Sequence, residues 1–211
     1  MTNTTNATDK LDTTHIMNSI VNMVNKGGLD KINLAKAKEG IPETLEQLNQ
    51  RFELLGISLV QVHEVAVDVK ETDVHQILSY IKHLGFKQLS GLTCVDWPLE
   101  SKFQLIFNMF DWQKGIRMII RTKVERENPL FRSITTIFPG AKYYERETHE
   151  FFGIVFEGND DAIKPLFLEN WDDIPPMRKD FDSRAYSDRK YIKREYKTSF
   201  GEPGGEPFER S

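Results

Sequence analysis

Apolar residues alternate with polar ones over one stretch of this chain and then recur at helical spacing over the next. From Ser58 to Val69 the valines alternate with polar residues, with one break, which predicts a half-buried strand or a bulged pair of strands. From Thr72 to Gly85 the apolar residues fall three or four apart, at Val74, Ile77, Leu78, Ile81 and Leu84. This spacing predicts an amphipathic helix on a sheet, with Thr72 as its N-terminal cap and Gly85 at its end.

Three further runs have the composition of strands. They cover residues 87–97, 103–112 and 116–124, and only short polar connections separate them. Because short connections join strands that run in opposite directions, we expect these three to be antiparallel neighbours.

Helical spacing also occurs before and after these strands. Pro42 begins a predicted helix that runs to Phe52. Residues 128–139, with a proline near each end, predict a second helix, and residues 143–153 predict a third. The fold class expected is therefore α+β, with a mixed, mainly antiparallel sheet and helices packed on it, followed by a long extended C-terminal tail.

These patterns divide the chain into three regions. Residues 1–40 form an N-terminal extension that we expect to be partly disordered, since its start is rich in Thr, Asn and Asp. Residues 41–153 form one compact domain. Residues 154–211 have no sustained period and several Gly and Pro residues, yet they contain large apolar side chains such as Phe167 and Trp171. We expect this tail to be extended and to pack on a partner subunit.

Composition narrows the classes of protein that fit. The 211 residues carry a net charge of -4, which argues against a surface built throughout for nucleic acid. The single cysteine, Cys94, excludes an internal disulfide and an iron–sulfur site made by this chain alone, and we interpret it as a small buried side chain in a reducing compartment. No Gly-rich turn between a strand and a helix offers a dinucleotide site.

Residues 143–153, Tyr-Tyr-Glu-Arg-Glu-Thr-His-Glu-Phe-Phe-Gly, hold the densest group of ionisable side chains. One interpretation is a metal-dependent enzyme that uses Glu145, Glu147, His149 and Glu150. A second is an ion pair between Arg146 and Glu150, with the other carboxylates in solvent. A third is an interface with another subunit. Elsewhere, the basic and tyrosine-rich residues 184–197 raise the alternative of RNA binding.

Several motifs resemble those of the C-type (30 kDa) subunit of respiratory complex I. The resemblance extends over about residues 55–182 and is carried by four segments: Phe86 to Asp96, Phe138-Pro-Gly-Ala, Tyr144 to Ile154 with the following Phe-Glu-Gly, and Pro176-Met-Arg-Lys-Asp-Phe181. Asn159, Ile163 and Glu150 depart from the residues usual in that family. The segment 159–165 looks nearer to the archaeal, deazaflavin-oxidising branch than to the bacterial NADH type.

The resemblance implies a non-catalytic subunit in the peripheral arm of a membrane-associated, proton-translocating oxidoreductase. Such a chain has no catalytic, cofactor-binding or metal residues, and partner subunits hold the iron–sulfur clusters and flavin. Expected partners are the large quinone-site subunit and the neighbouring iron–sulfur subunits, on the cytoplasmic side of the membrane and with no nucleic acid. The donor is NADH, a reduced deazaflavin or ferredoxin, and the acceptor is a quinone or a phenazine. Residues expected at the subunit interface are Glu145, Arg146, Glu147, Glu150, Phe152, Gly153, Trp171, Pro176, Arg178, Lys179, Asp180 and Phe181.

Overall fold

A five-stranded mixed sheet with helices on one face dominates the computed structural model, which describes residues 37–191. The elements, in chain order, are α1 (Ile41–Asn49), β1 (Leu54–Gln61), β2 (Glu64–Val69), α2 (Val74–His83), β3 (Gln88–Trp97), β4 (Lys102–Asp111), β5 (Ile116–Glu125), β6 (Leu130–Arg132), α3 (Ala141–Phe152), β7 (Val155–Glu157) and α4 (Ser183–Lys190). Short 3₁₀ turns precede α2 and β4. The α+β class that the sequence predicts is confirmed.

The strands of the main sheet lie in the order β1-β2-β5-β4-β3. Strands β3, β4 and β5 are antiparallel neighbours, as their short connections predict, and β1 pairs with β2 through a hairpin. Within this sheet, as residues 37–191 form it, β2 and β5 are the one parallel pair, because α2, β3 and β4 intervene between them in the chain. The register of β1 shifts at two points, in agreement with the predicted bulged pair of strands.

Alternation along β4 and β5 separates the core from the opposite face of the sheet. In β4 the side chains of Phe103, Leu105, Phe107 and Met109 are fully buried, while the residues between them are only partly buried. The buried side chains form one cluster with those of α1, α2 and α3. Helix α2 contributes four of the residues that the sequence places on its apolar stripe: Val74, Ile77, Leu78 and Ile81.

Two local predictions differ from the structure. Residues 128–139 do not form a helix: Leu130 to Arg132 form β6, and turns follow. The reason is tertiary, because β6 pairs in parallel with β7, and Phe131 packs between the rings of Phe107 and Phe156. Thr72 does not cap α2 either, since its hydroxyl donates to the Asp73 carboxylate.

The chain beyond α3 continues to contribute to the core. Ile154 is fully buried, and Phe156 and Ala162 are almost so. Their side chains belong to the same cluster as the sheet and the three helices. The described helices include none that is long and apolar enough to cross a membrane.

Candidate functional site

Helix α3 carries the ionisable cluster and ends at a glycine. Gly153 adopts a φ of +80°, and its N–H donates to the carbonyl of His149 at 2.7 Å, which closes the last turn. The buried side of the helix contains Ala141, Glu145, Thr148 and Phe152, so one carboxylate of the cluster lies on the apolar stripe. The other charged residues lie at its flanks and on the exposed side.

Glu145 is fully buried within its own chain, and all its contacts are internal. Its carboxylate accepts hydrogen bonds from the Ser133 hydroxyl, the Ile134 N–H and the Asn159 amide, each at 2.8 Å. These donors fix the turn that follows β6 and the segment after β7 against α3. The interpretation that Glu145 is a solvated or partner-facing charge is therefore replaced by an internal structural role.

Arg146 and Glu150 do not pair with each other as predicted, because both hold the main chain of the tail. The Arg146 guanidinium donates to the carbonyls of Lys164 and Pro165 at 3.2 and 2.6 Å. The Glu150 carboxylate accepts from three successive amides, those of residues 166–168, at 2.8 to 3.2 Å. Together they anchor residues 163–181, which we call the strap.

A second anchor lies where the strap passes the end of α3. Arg178 donates to the Phe152 carbonyl at 2.7 Å, and its guanidinium lies 5.2 Å from the centroid of the Phe103 ring. The Met177 N–H donates to the Phe151 carbonyl at 3.1 Å. The last carbonyls of the helix therefore find their donors in the strap.

A third anchor is a carboxylate on β3. Asp96 is buried and accepts from the Arg126 guanidinium at 2.8 and 3.1 Å and from the Lys179 N–H at 2.8 Å. Arg126 also donates to Asp180 at 2.8 Å. Burial by itself raises the pKa of Asp96, but its hydrogen bonds from Arg126 and Lys179, together with the nearby positive charges, outweigh that effect and lower the pKa below its usual range.

The strap ends in an aromatic cluster with α4. The Trp171 ring lies 4.5 Å from that of Tyr186 and 5.4 Å from that of Phe181. Asp182 caps α4 by accepting from two of its first N–H groups. Arg189 and Lys190 then pair with acidic residues of the strap, at 2.7 Å to Asp173 and 2.6 Å to Asp172.

Several apolar side chains of the strap project away from the domain. Ile163, Phe167, Ile174 and Met177 are 69%, 64%, 40% and 56% exposed. Phe167 stacks on Phe151 with the ring planes only 7° apart, which holds it in place at the surface. The main chain at residues 164–168 and at 177 and 179 is hydrogen-bonded to α3 and β3, while these four side chains stay exposed; we call them the apolar strip.

In the structure, the predicted interface residues fall into two groups: those that are buried or bound to the main chain, and those that keep exposed surface. Glu145 and Phe152 are buried, and Arg146, Glu150 and Arg178 are bound to the main chain. The remaining ones keep exposed surface: Glu147, Gly153, Trp171, Pro176, Lys179, Asp180 and Phe181. Sequence reasoning missed Ser133 and Arg126, because each is bonded to a carboxylate at least 12 residues away in the chain and no local pattern marks it.

The geometry accounts for the other ionisable candidates as well. The Nδ1 of His149 forms a hydrogen bond with the Ile154 carbonyl, which accepts, at 2.8 Å. Within residues 37–191, no three His, Cys, Asp or Glu side chains come together as a metal site would require. Cys94 is buried as predicted, and burial raises the pKa of its thiol far above the ordinary value, which disfavours the thiolate form. Of the basic segment 184–197, residues 192–197 lie outside the described part of the chain.

Comparison with known proteins agrees with the sequence motifs. The family model of the respiratory-chain NADH dehydrogenase 30 kDa subunit matches residues 67–187, which include the end of β2, strands β3 to β7, helices α2 and α3, the strap and most of α4. The chain belongs to this family.

Individual relatives cover different shares of the chain. The mitochondrial NADH-ubiquinone oxidoreductase 30.4 kDa subunit of Neurospora crassa is 27% identical over 177 residues, 82% of this chain and 60% of that protein. The C-type subunit of the NADH-quinone oxidoreductase of Roseiflexus sp. is 34% identical over 109 residues, 51% of this chain and 62% of that protein. The chain spans between 38% and 60% of the length of three fungal relatives that it matches.

A solved structure shares the fold. It is a chain of the membrane-bound sulfane sulfur reductase, described as an archaeal respiratory membrane complex. The TM-score is 0.67 at 26% identity, and the match covers 79% of this chain and 98% of that one.

Proposed function

We propose that this chain is a non-catalytic peripheral-arm subunit of a membrane-associated, proton-translocating oxidoreductase of the complex I type. Its role is to scaffold the large subunit near the quinone site. Family membership supports the general assignment, and the relatives named above are subunits of NADH-quinone or NADH-ubiquinone oxidoreductases.

The single observation that carries the scaffolding role is the construction of the strap. Arg146 and Glu150 bind its main chain and Arg178 attaches it to the last turn of α3, while the side chains of Phe167 and Met177 stay exposed. A free protein would gain from burying such side chains, each worth about 1.5 to 3 kcal/mol on full burial. A partner surface laid over the strap buries them without disturbing the anchors beneath.

The residues that we assign to the interface are exposed or half-buried, and all but Glu147 of α3 belong to the strap. They comprise the apolar side chains Ile163, Phe167, Ile174 and Met177 together with Glu147, Trp171, Pro176, Lys179, Asp180 and Phe181. An apolar centre with a charged rim is the usual composition of a subunit interface.

The electron-carrying groups belong, in this proposal, to the partners: flavin and iron–sulfur clusters in neighbouring subunits, with NADH, a reduced deazaflavin or ferredoxin as donor and a quinone or phenazine as acceptor. The similarity to a chain of an archaeal respiratory membrane complex supports an archaeal-type assembly. The subunit would lie on the cytoplasmic side of the membrane and be attached through its partners.

The two alternative functions have no comparable support in the geometry. Both oxygens of Glu145 are occupied by donors from the chain's own turns, so this carboxylate is not available to the proposed metal-dependent enzyme. Arg189 and Lys190 are paired with Asp172 and Asp173, which reduces the charge available to bind RNA.

Purification from the native membrane tests the proposal. The double variant Phe167→Ser and Met177→Ser is expected to lower the yield of intact complex at least about tenfold, because residues at the centre of an interface often contribute more than 1 kcal/mol each. Turnover per assembled complex should not change. Val60→Ser combined with Val62→Ser is the matched control, since both valines are more than half exposed at the β1 edge of the sheet, opposite the β3 edge that the strap contacts.

Two results would contradict the proposal. One is recovery of the native protein as a free monomer with no partner subunits in the membrane fraction. The other is a normal yield of complex with reduced turnover in the double variant.

A further inference from the structure

A groove on the side of α2 carries unpaired charges that neither the strap nor the core uses. Its larger part, about 630 Å³, lies between α2 and the turn after β6 and is lined by Arg51, Phe52, Tyr80, His83, Arg132 and Ile137, among others. A smaller part of about 440 Å³ adjoins it, shares His75, Gln76 and Arg132 with it, and extends to Glu71 and Glu157. No residue of the strap or of α3 lines either part.

The two arginines of the groove differ from most others in the described chain. Arg117, Arg121, Arg126 and Arg189 form ion pairs, and Arg146 and Arg178 donate to carbonyls. Within residues 37–191, the side chains of Arg51 and Arg132 form neither an ion pair nor a hydrogen bond. The Arg51 guanidinium lies over the Tyr80 ring at 4.5 Å, so its position is fixed while its N–H groups stay available.

The charge of the groove changes sign along its length. Among the described residues, no acidic side chain lines the larger part, which contains the two arginines, His75 and His83. Glu71 and Glu157 line the smaller part, and neither carboxylate forms an ion pair with a described residue. Arg132 lies where the two parts meet, so among the described residues the groove is positive at the α1 end and has two carboxylates without an ion pair at the other.

Shape and charge together define the class of ligand. Arg51, Gln76, His83 and Arg132 are exposed, so the groove is too shallow to enclose a small molecule, which a binding pocket normally does over most of its surface. Two arginines with two carboxylates in the same groove do not suit a nucleic-acid backbone, whose charge has a single sign. A short peptide with opposite charges at its two ends fits both parts.

We propose that this groove binds a short segment of a partner subunit, with carboxylates over Arg51 and Arg132 and a basic residue near Glu71 and Glu157. Phe52, Tyr80 and Ile137 offer apolar surface for a side chain between the two charged ends. This inference rests on the proposed function, since it requires a complex with partner subunits. It adds a second contact, separate from the strap.

Photo-crosslinking in the intact complex tests the groove directly. A benzoylphenylalanine at position 76, where an exposed glutamine lines both parts, is activated in the complex purified from its native membrane, and the products are mapped by mass spectrometry. The expected product joins residue 76 to a segment of another subunit that contains Asp or Glu at one end and Lys or Arg at the other. The same probe at position 113, in the exposed turn between β4 and β5, is the control and should not give this product.

Charge reversal supplies the second measurement. Arg51→Glu combined with Arg132→Glu should lower the yield of the residue 76 product at least about tenfold, since the removal of one partner from a close charge pair at an interface has effects of this size or larger. Lys87→Glu combined with Lys114→Glu makes the same change of charge at exposed sites that line neither part of the groove and should leave the yield unchanged.

The outcomes separate the groove from the proposed function. An intact complex in which position 76 crosslinks to lipid, to RNA, only to this chain's own residues 192–211, or to nothing overturns the groove proposal alone. A chain recovered without any partner subunits overturns both.

Discussion

At the scale of single residues, the acidic side chains of this protein act as acceptors for its own main chain and turns. Glu145 and Asp96 are both buried, and each accepts three hydrogen bonds from separate parts of the chain. Glu150 does the same at the surface, with three amides of the strap. A carboxylate has two oxygens that can accept from several donors at once, which is the property that these three positions use.

Glu145→Gln should lower the free energy of unfolding by about 1 to 3 kcal/mol, because an amide nitrogen would face either the Ile134 N–H or the Asn159 amide and leave a buried donor unpaired. Chemical denaturation at neutral pH measures the change. Glu147→Gln, at an exposed position on the same helix, should change it by less than about 0.5 kcal/mol. Equal stability of the two variants would contradict the internal role of Glu145.

Asp96→Asn should lower the free energy of unfolding only at a pH at which the native carboxyl is ionised. At pH 7 we expect the free energy of unfolding to fall by about 3 kcal/mol, the lower end of the range for breaking a buried ion pair. The lower end applies because Arg126 still has Asp180 as a partner in the variant. The pKa of Asp96 is lowered by folding, so its contribution is complete above the unfolded value of about 4 and is lost as the pH falls through the folded value. Stability of both proteins, measured from pH 7 to pH 2, should therefore converge at low pH.

Glu100→Gln is the control for this pH series, because its carboxylate forms an exposed pair with Lys123. A surface pair contributes about 0 to 1 kcal/mol, so the control should follow the unmodified protein closely at every pH. A constant difference between the Asp96→Asn variant and the unmodified protein down to pH 2 would mean that the ionised carboxyl is not the source of the effect.

At the scale of elements, the junction between α3 and the strap is the most constrained point of the site. A Cβ at Gly153 would lie 2.7 Å from the Arg178 guanidinium and 3.1 Å from the Pro175 ring, at a φ of +80°. The glycine is therefore needed both for its backbone conformation and for the close approach of the strap. Sequence alone suggests only the first reason.

Gly153→Ala should lower stability by about 1 to 2 kcal/mol from the left-handed conformation alone. In addition, displacement of Arg178 from the Phe152 carbonyl should speed cleavage of the strap by a protease at least severalfold. Gly140→Ala, at the start of the same helix, has open space around the added methyl group and a negative φ, so neither effect is expected there. Limited proteolysis and thermal unfolding of the two variants measure the difference.

At the scale of the whole molecule, the core depends on chain that follows α3. Ile154 and Phe156 are buried in the same cluster as the sheet, and β7 pairs with β6. The hydropathy pattern places a domain boundary after residue 153, whereas the buried positions lead us to expect that the core needs the chain to about residue 162.

A chain that ends at residue 153 should therefore lose cooperative unfolding. Removal of Ile154 and Phe156 from the core alone costs about 3 to 6 kcal/mol, a large part of the roughly 5 to 15 kcal/mol of a typical domain. A chain that ends at residue 191 keeps these residues and should unfold in one transition by circular dichroism. Cooperative unfolding of the shorter chain would place the boundary at residue 153 after all.

Much of the fold could be predicted from the periodicity and the local motifs of the sequence. Alternating and helical spacing are set by the geometry of single strands and helices, so β3, β4, β5 and α2 could be predicted from one segment at a time. The segment 128–139 shows the limit of this approach. Its apolar spacing suits a helix, but the pairing of β6 with β7 produced a strand and turns instead.

The sequence by itself determined the α+β class, the positions of the main strands and helices, and the motifs that connect the chain to its family. Tertiary structure alone decided what the charges do, because their partners are distant in the chain: Asp96 bonds to residues 30 and 83 positions away, and Glu150 to amides 16 to 18 positions away. Glu145 is buried and bonds to turns of its own chain. Arg146 and Glu150 bond to the main chain of the strap and not to each other. The cost of leaving a buried polar group unpaired depends on the complete set of neighbours, which only the folded chain brings together.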